Sequence, residues 1–133
     1  MEREAVLFAN EAFYRAFADR DIDAMEQIWS RQEPVACIHP GWSPVIGREP
    51  VLASWRAILG NPASPAILCL RPRAFMRGDS AFVICYEKVN GALLIATNLF
   101  VREDQHWKMT HHQAGPVPAP SEVEEEKTDT VVH

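Results

Sequence analysis

The Asn90-Gly91 dipeptide, set between the apolar-rich runs 80–89 and 92–101, constrains the fold of this chain more than any other feature. Asn-Gly readily supplies the positive φ angles of a tight two-residue turn, so the two runs are expected to pair as an antiparallel hairpin. Runs 67–77 and 106–114 flank them across Gly78-Asp79 and Glu103-Asp104-Gln105, extending the hairpin to a four-stranded antiparallel meander. Pro72 lacks the amide proton that a ladder needs and belongs at a bulge or an edge.

Before Pro65 the periodicity is helical. Val6, Ala9, Phe13, Ala16 and Phe17 recur at helical spacing over 3–18, with Glu2, Glu4, Asn10, Glu11 and Arg15 on the other face. Asp21 is a good N-cap for a second helix, whose stripe is Ile22, Met25, Ile28 and Trp29 and which stops before Pro34. Residues 35–39 alternate Val35, Cys37 and His39 against Ala36 and Ile38, the pattern of a short strand buried on both sides. Pro40-Gly41 ends it in a tight turn, and a loop leads on to Arg48. Val51, Leu52, Trp55, Ile58 and Leu59 mark a third helix, with Pro50 in its first turn and Gly60-Asn61-Pro62 as its stop. Helices followed by antiparallel strands define an α+β domain in which a curved sheet wraps three N-terminal helices.

Charge separates this domain, residues 1–116, from the C-terminal segment. The net charge is −5, and beyond Pro116 five acidic residues stand against Lys127, a net −4 that leaves −1 for the body. Residues 117–133, with Pro118, Pro120 and the run Glu124-Glu125-Glu126, read as a disordered acidic tail. A nearly neutral body has no basic face for phosphates, so nucleic acid is not an expected partner. The charged start and the lack of a membrane-length apolar run point away from secretion and membranes. Cys37, Cys69 and Cys85 sit apart in apolar, strand-like contexts and suit reduced buried thiols, which makes the cytoplasm the expected compartment.

The candidate chemistry starts at His39, whose imidazole can accept a proton at neutral pH, or can simply hold the Pro40-Gly41 turn. Trp42, on the loop outside any periodic element, either lids a pocket or packs a neighbour. Arg48 can recognise a ligand carboxylate or serve as a cap. Trp29, Trp55 and Phe100 either line a cavity or form core. Strand alternation that turns Trp107 and Met109 inward takes His111 with them and sends His112 outward. Asn98 can donate from an apolar site to a developing oxyanion or satisfy a backbone group. Glu87 reads as structural, on a solvated or dimer face. A metal set from His39, one of the late histidines and Glu87 has no supporting spacing, so neither metal nor cofactor is expected. The scattered glycines make no phosphate loop, and Ser43, Ser54 and the cysteines lack a base partner in any motif.

Helix, helix, short strand, helix and four long strands, with the His39-Pro40-Gly41-Trp42 turn and the late Ala96-Thr97-Asn98-Leu99-Phe100, resemble the nuclear transport factor 2-like superfamily, in its SnoaL-like, ketosteroid isomerase-related branch. The likeness covers roughly residues 3–116. It implies a cone-shaped α+β barrel with a ligand cavity at its open end and homodimers formed through the exposed sheet face. Against the isomerases, His39 falls at the catalytic carboxylate and Asn98 at the protonated aspartic acid. The phenol position aligns with Phe13, while Tyr14 lies one residue on, about 100° round the helix. The resemblance implies an apolar small-molecule cavity with acid/base catalysis by His39, Asn98 and Tyr14 on a small hydrophobic substrate, of isomerase, cyclase, dehydratase or hydrolase type. The alternative is a non-catalytic ligand-binding or dimeric protein-interaction module.

Overall fold

The structure is a computed structural model that describes residues 2–118. Its elements are α1 (Glu2–Ala18), α2 (Ile22–Ile28), β1 (Ala36–Ile38), β2 (Val45–Ile46), α3 (Arg48–Gly60), β3 (Leu68–Arg77), β4 (Ser80–Val89), β5 (Ala92–Glu103) and β6 (His106–Pro116). The sheet order is β2-β1-β6-β5-β4-β3. Neighbours run antiparallel except β1, which lies parallel to β6 and pairs Ala36 with His111 and Cys37 with His112. Three helices and a six-stranded curved sheet thus form the expected α+β cone. The loop expected before α3 contains the two-residue strand β2, which lies against β1. The first residue assigned to the tail continues along the sheet, its amide donating to Leu93 O at 3.0 Å. Apart from residues 117 and 118, the tail lies outside the described residues. No described helix is long and apolar enough to cross a membrane.

Local chemistry explains the boundaries. Asp21 accepts from the Ala24 amide at 3.1 Å and starts α2. His39, Pro40, Gly41 and Trp42 form a turn closed by Trp42 N donating to His39 O at 2.9 Å. Proline in its second place and Gly41 at φ 81° in its third are what a type II turn demands. Arg20 donates to the carbonyls of Leu59, Asn61 and Ser64 and ties the α1–α2 corner to the exit of α3.

Two bulges shape the sheet. Arg71 and Pro72 together oppose Cys85, since Leu70 pairs with Tyr86 and Arg73 with Ile84. This is the bulge that Pro72 required, and it bends β3 across α1. On β6, Leu99 pairs with His111 and Phe100 with Met109, leaving Thr110 as an extra residue. That inversion of parity overturns the expectation for the late histidines: Trp107 and Met109 face inward, but beyond Thr110 it is His112, 3% exposed, that is buried, while His111 is half-buried on the other face.

Burial of α1 is also wider than its apolar stripe. Val6 and Phe13 are fully buried, and so is Asn10 at 1%, a residue expected on the polar face. Asn10 and Tyr14, four residues apart, form a second inward ridge against β3 and β4.

Candidate functional site

Along that ridge the inner face of the sheet carries Glu87 and Cys85 from β4, Asn98 from β5 and His112 from β6, each at most 3% exposed. Buried polar groups persist where they satisfy one another. Asn98 Nδ2 donates to Asn10 Oδ1 at 2.8 Å and to Tyr14 OH at 3.2 Å. The Tyr14 hydroxyl donates to Glu87 Oε2 at 2.6 Å and lies 3.2 Å from Cys85 Sγ. His112 Nδ1 meets Asn98 Oδ1, which can only accept, so Nδ1 carries the imidazole proton and Nε2 is a bare lone pair. That nitrogen faces Glu87 Oε2 at 3.9 Å. Tyr14, Asn98, His112 and Glu87 therefore form a ring of four side chains, closed except for one longer link.

Burial governs the protons of this ring. It raises the Glu87 carboxyl above its ordinary range, opposed by the Tyr14 hydrogen bond. It lowers His112 to about 3, helped by repulsion from His39 and His111. Burial also raises the Tyr14 phenol, with Glu87 adding to the effect. The low-dielectric interior thus pushes both partners away from their charged forms, the carboxyl upwards and the imidazole downwards. The expectation that Glu87 stands on a solvated or dimer face is corrected: it lies inside, 1% exposed, because β4 turns Ala81, Val83, Cys85 and Glu87 to the core.

His39 occupies a separate cluster at the end of β1. Ser54 Oγ gives its one proton to Val51 O at 2.7 Å, so the 2.9 Å contact with His39 Nε2 is donated by the imidazole. Ser54 is thus the partner that no motif predicted for His39, with its hydroxyl proton committed to the helix. Burial lowers His39 to about 4, so the ring is neutral. Trp42 and Trp55 stand edge-on to it with centroids 4.7 and 4.8 Å away. A chain of contacts, His39 to Trp55, Trp55 to His112, His112 to Asn98, links the two clusters. The Trp55 indole N–H, buried, has no hydrogen-bond partner among the described residues.

The other candidates separate by burial. Trp29, Trp55 and Phe100 are at most 1% exposed and belong to the core. Trp42 is 47% exposed and is held over His39 by the type II turn. Arg48 donates to Glu26 O at 2.8 Å, tying the end of α2 to α3. His111 is 3.5 Å from Gln113 Oε1. Tyr14, Asn98 and His112 come together, whereas His39 and Trp42 form their own group. Among the described residues no three of His, Cys, Asp or Glu are placed to hold a metal ion.

A surface groove reaches the polar ring. Between α1 and β3 lies a groove of about 470 Å³ whose wall includes Leu7, Phe8 and Pro72 and whose floor includes Asn10, Tyr14 and Cys69. A second groove of about 470 Å³, between α1, α2 and the β5–β6 turn, is lined by Ala5, Ala9, Ala12, Ile28 and Trp107 and touches none of these polar groups.

Comparison with known proteins places the fold. A protein of the NTF2-like family from Streptomyces avermitilis, provisionally named a dehydratase, is 32% identical, with a TM-score of 0.81 over 89% of this chain and 97% of that one. A domain from Thiobacillus denitrificans, provisionally named a calcium/calmodulin-dependent protein kinase type II association domain, is also 32% identical, with a TM-score of 0.73 over 83% of this chain and 93% of that one. F-box protein SKIP8 of Arabidopsis thaliana is 27% identical over 112 residues, 83% of this chain and 48% of that protein, so the chain spans about half the length of this curated relative. The family model of the SnoaL-like domain matches residues 6–120, and the chain, with its cone of six strands on three helices, belongs to the SnoaL-like family.

Proposed function

We propose that this domain admits a small, largely apolar molecule to the groove between α1 and β3 and moves a proton on it through Tyr14 and Glu87. The observation that carries this reading is that Tyr14 belongs both to the groove floor and to the buried ring, with its hydroxyl 2.6 Å from the Glu87 carboxyl. Burying an acid with little to ease its ionisation is costly, and such groups concentrate where proton transfer is needed. On this reading Tyr14 hands its proton to the departing hydroxyl of the bound molecule as Glu87 replaces it, the C–O bond breaks with release of water, the α C–H pair becomes the C=C bond, and the α proton returns to the ionised Glu87 carboxylate, so the pair ends as it began. Asn98 and His112 orient the pair, and Asn98 also supplies a neutral donor. His39 holds the turn that carries Trp42. Loss of water from a hydroxylated carbonyl compound is the reaction class favoured, in line with the provisional name of the Streptomyces relative.

The test is turnover of a panel of small β-hydroxy carbonyl compounds by the wild-type chain and by Tyr14→Phe, Glu87→Gln and His39→Ala. The expected result is a loss of about 10²-fold or more in the first two and little change in the third. Equal loss in His39→Ala with the fold intact would return the proton transfer to His39. Absence of turnover in all, with an apolar dye bound more weakly by Tyr14→Phe, would favour a binding module.

A second reading, self-association, is favoured by the outer sheet face. Phe75 and Phe82 stack there at 4.9 Å, and Phe75 and Leu99 are 40% and 39% exposed. One relative at 32% identity carries the name of an association domain. Light scattering that gives twice the chain mass, reduced to one chain by Phe75→Asp, is the expected outcome. A monomeric wild type would end this reading.

A further inference from the structure

We propose that residues 122–129 of this chain fold back over the outer face of the sheet and set their carboxylates against Arg73 and Arg77 of β3. Alternation along the strands defines that face. Ala74, Ala81, Val83, Ala96, Asn98 and Phe100 turn to the core, so the positions between them form three successive rows outside. The first row begins at Arg73, the second is Phe75, Phe82 and Leu99, and the third begins at Arg77. Both arginines are exposed, and among the described residues neither guanidinium has an ion-pair partner. Asp79, the acid nearest to Arg77 in sequence, is engaged by Arg102 at 3.0 Å.

Charge selects the occupant. Strands β3 to β6 contain two acidic residues, Glu87 and Glu103, and both are buried. The outer face of these strands therefore carries arginine on either side of an exposed aromatic row, with no carboxylate of its own. Segment 122–129 is the complement: Glu122, Glu124, Glu125, Glu126 and Asp129 stand against Lys127 alone, with Val123 among them. Because the segment is tethered to the same chain, it meets the face at an effective concentration far above that of a free peptide. Exposed ion pairs are individually weak, so several of them hold the contact together, and it yields to salt.

Length and point of departure fit as well. The Val117 amide donates to Leu93 O, so the chain leaves the sheet beside the start of β5. Arg73 aligns through Ile84 with Thr97, four residues along β5 from Leu93, and Arg77 aligns through Ser80 with Val101, eight residues along. At about 3.3 Å per residue along a strand and about 4.8 Å between strands, Arg73 lies about 20 Å from Val117 and Arg77 about 30 Å. Glu124 and Glu126, seven and nine residues beyond Val117, reach about 23 and 30 Å when extended, and Asp129 reaches about 40 Å. The side chains on both sides add to this reach, enough to absorb the reversal of direction that the path needs after Pro118. The inference rests on neither reading of function given above: the segment covers the face within one chain, and a second copy associating there competes with it.

The experiment digests dilute full-length chain with a glutamyl endopeptidase in the presence of a synthetic peptide of residues 117–133, and intact mass follows cuts after Glu122, Glu124, Glu125 and Glu126 in each. Cleavage that requires opening reports the uncovered fraction, so a segment docked about nine-tenths of the time is cut about tenfold more slowly than the peptide. Arg73→Glu combined with Arg77→Glu should bring the two rates together. Sodium chloride at about 1 M should do the same for the wild-type chain, with the peptide correcting for the response of the protease itself to salt. The proposal is overturned if the wild-type segment and the peptide are cut at the same rate, if the double variant stays protected, or if salt leaves the ratio unchanged. Protection that fades on further dilution would place the segment on a second copy and overturn docking within one chain. The salt comparison needs no variant, so a double variant that failed to fold would not shelter the idea. Protection that persists in a chain found monomeric by light scattering would support the docking while ending the self-association reading alone.

Discussion

Replacing Glu87 by glutamine should make the protein more sensitive to mild acid, by an amount the buried histidines set. Burial holds His39 at about 4 and His112 at about 3, so both are neutral in the fold at pH values where an unfolded imidazole, near 6.5, already takes up a proton. Stability from these two is present above the unfolded value and is lost as pH falls towards the folded ones. Each proton taken up on unfolding corresponds to about 1.4 kcal/mol per pH unit, so together they impose a slope of about 2.5 kcal/mol between pH ~6 and ~5.

Glu87 acts in the opposite sense. Its pKa is raised in the fold above the ordinary 4.5, so between the ordinary and the raised value the folded chain holds this proton more firmly than the unfolded chain does, and its contribution fades as pH rises through the raised value. In the wild-type chain it offsets part of the histidine slope. The amide of Glu87→Gln keeps an acceptor for Tyr14 but carries no titrating proton, so the offset disappears. Urea unfolding followed by tryptophan fluorescence, repeated across this interval, measures the slope directly. It should be steeper in the variant than in the wild-type chain, with the two histidines setting its upper bound at about 2.5 kcal/mol per unit. A variant whose stability runs parallel to the wild type, or falls less steeply, would refute the claim that the Glu87–His112 pair retains a proton inside the fold.

Other expectations concern the frame around the site. Glu103, 6% exposed, accepts from Ser30 Oγ at 2.9 Å, from Arg31 N at 3.1 Å and from Gln32 N at 3.3 Å; Glu103→Ala should cost about 2–3 kcal/mol in urea unfolding, with Glu103→Gln recovering part. Asp21→Ala removes the cap of α2 and should cost about 1 kcal/mol, whereas Asp21→Ser should cost a few tenths at most. Deleting Thr110 removes the extra residue of β6 and leaves His111 directly after Met109 in their present pairing with Leu99 and Phe100, so His112 should stay inward and nitrogen-15 spectra should keep its buried Nδ1–H tautomer; loss of that signal would show that Thr110 is not the extra residue.

The fold is legible in the sequence because its signals are local and repeated. Asn90-Gly91, the Asp21 cap, the Pro40-Gly41 turn and the misfit of Pro72 each act within a few residues, and the structure places all of them as expected. The candidate site is legible only in part. Asn98 and Tyr14 stand out in the sequence, yet Glu87 and Asn10 read as outward-facing because a polar side chain in an amphipathic pattern ordinarily faces water. What brings them inward is mutual satisfaction across 59 to 88 residues of sequence, which no window along the chain reveals. His112 escapes for a different reason: a single unpaired residue inverts every side chain beyond it, and Thr110 carries no local mark of a bulge.

The parallel pairing of β1 with β6 has a consequence for how the chain is made. Residues 36–38 leave the ribosome long before residues 111–113, with which they must pair. Until then the growing chain holds α1, α2 and α3 against an incomplete sheet, with Cys37 and Trp55 lacking the last strand that covers them. Closure of the cone is thus postponed to the final stage of synthesis, and an early stop anywhere before His112 would release a nascent product with its greasy interior exposed, a natural target for chaperones and quality-control proteases.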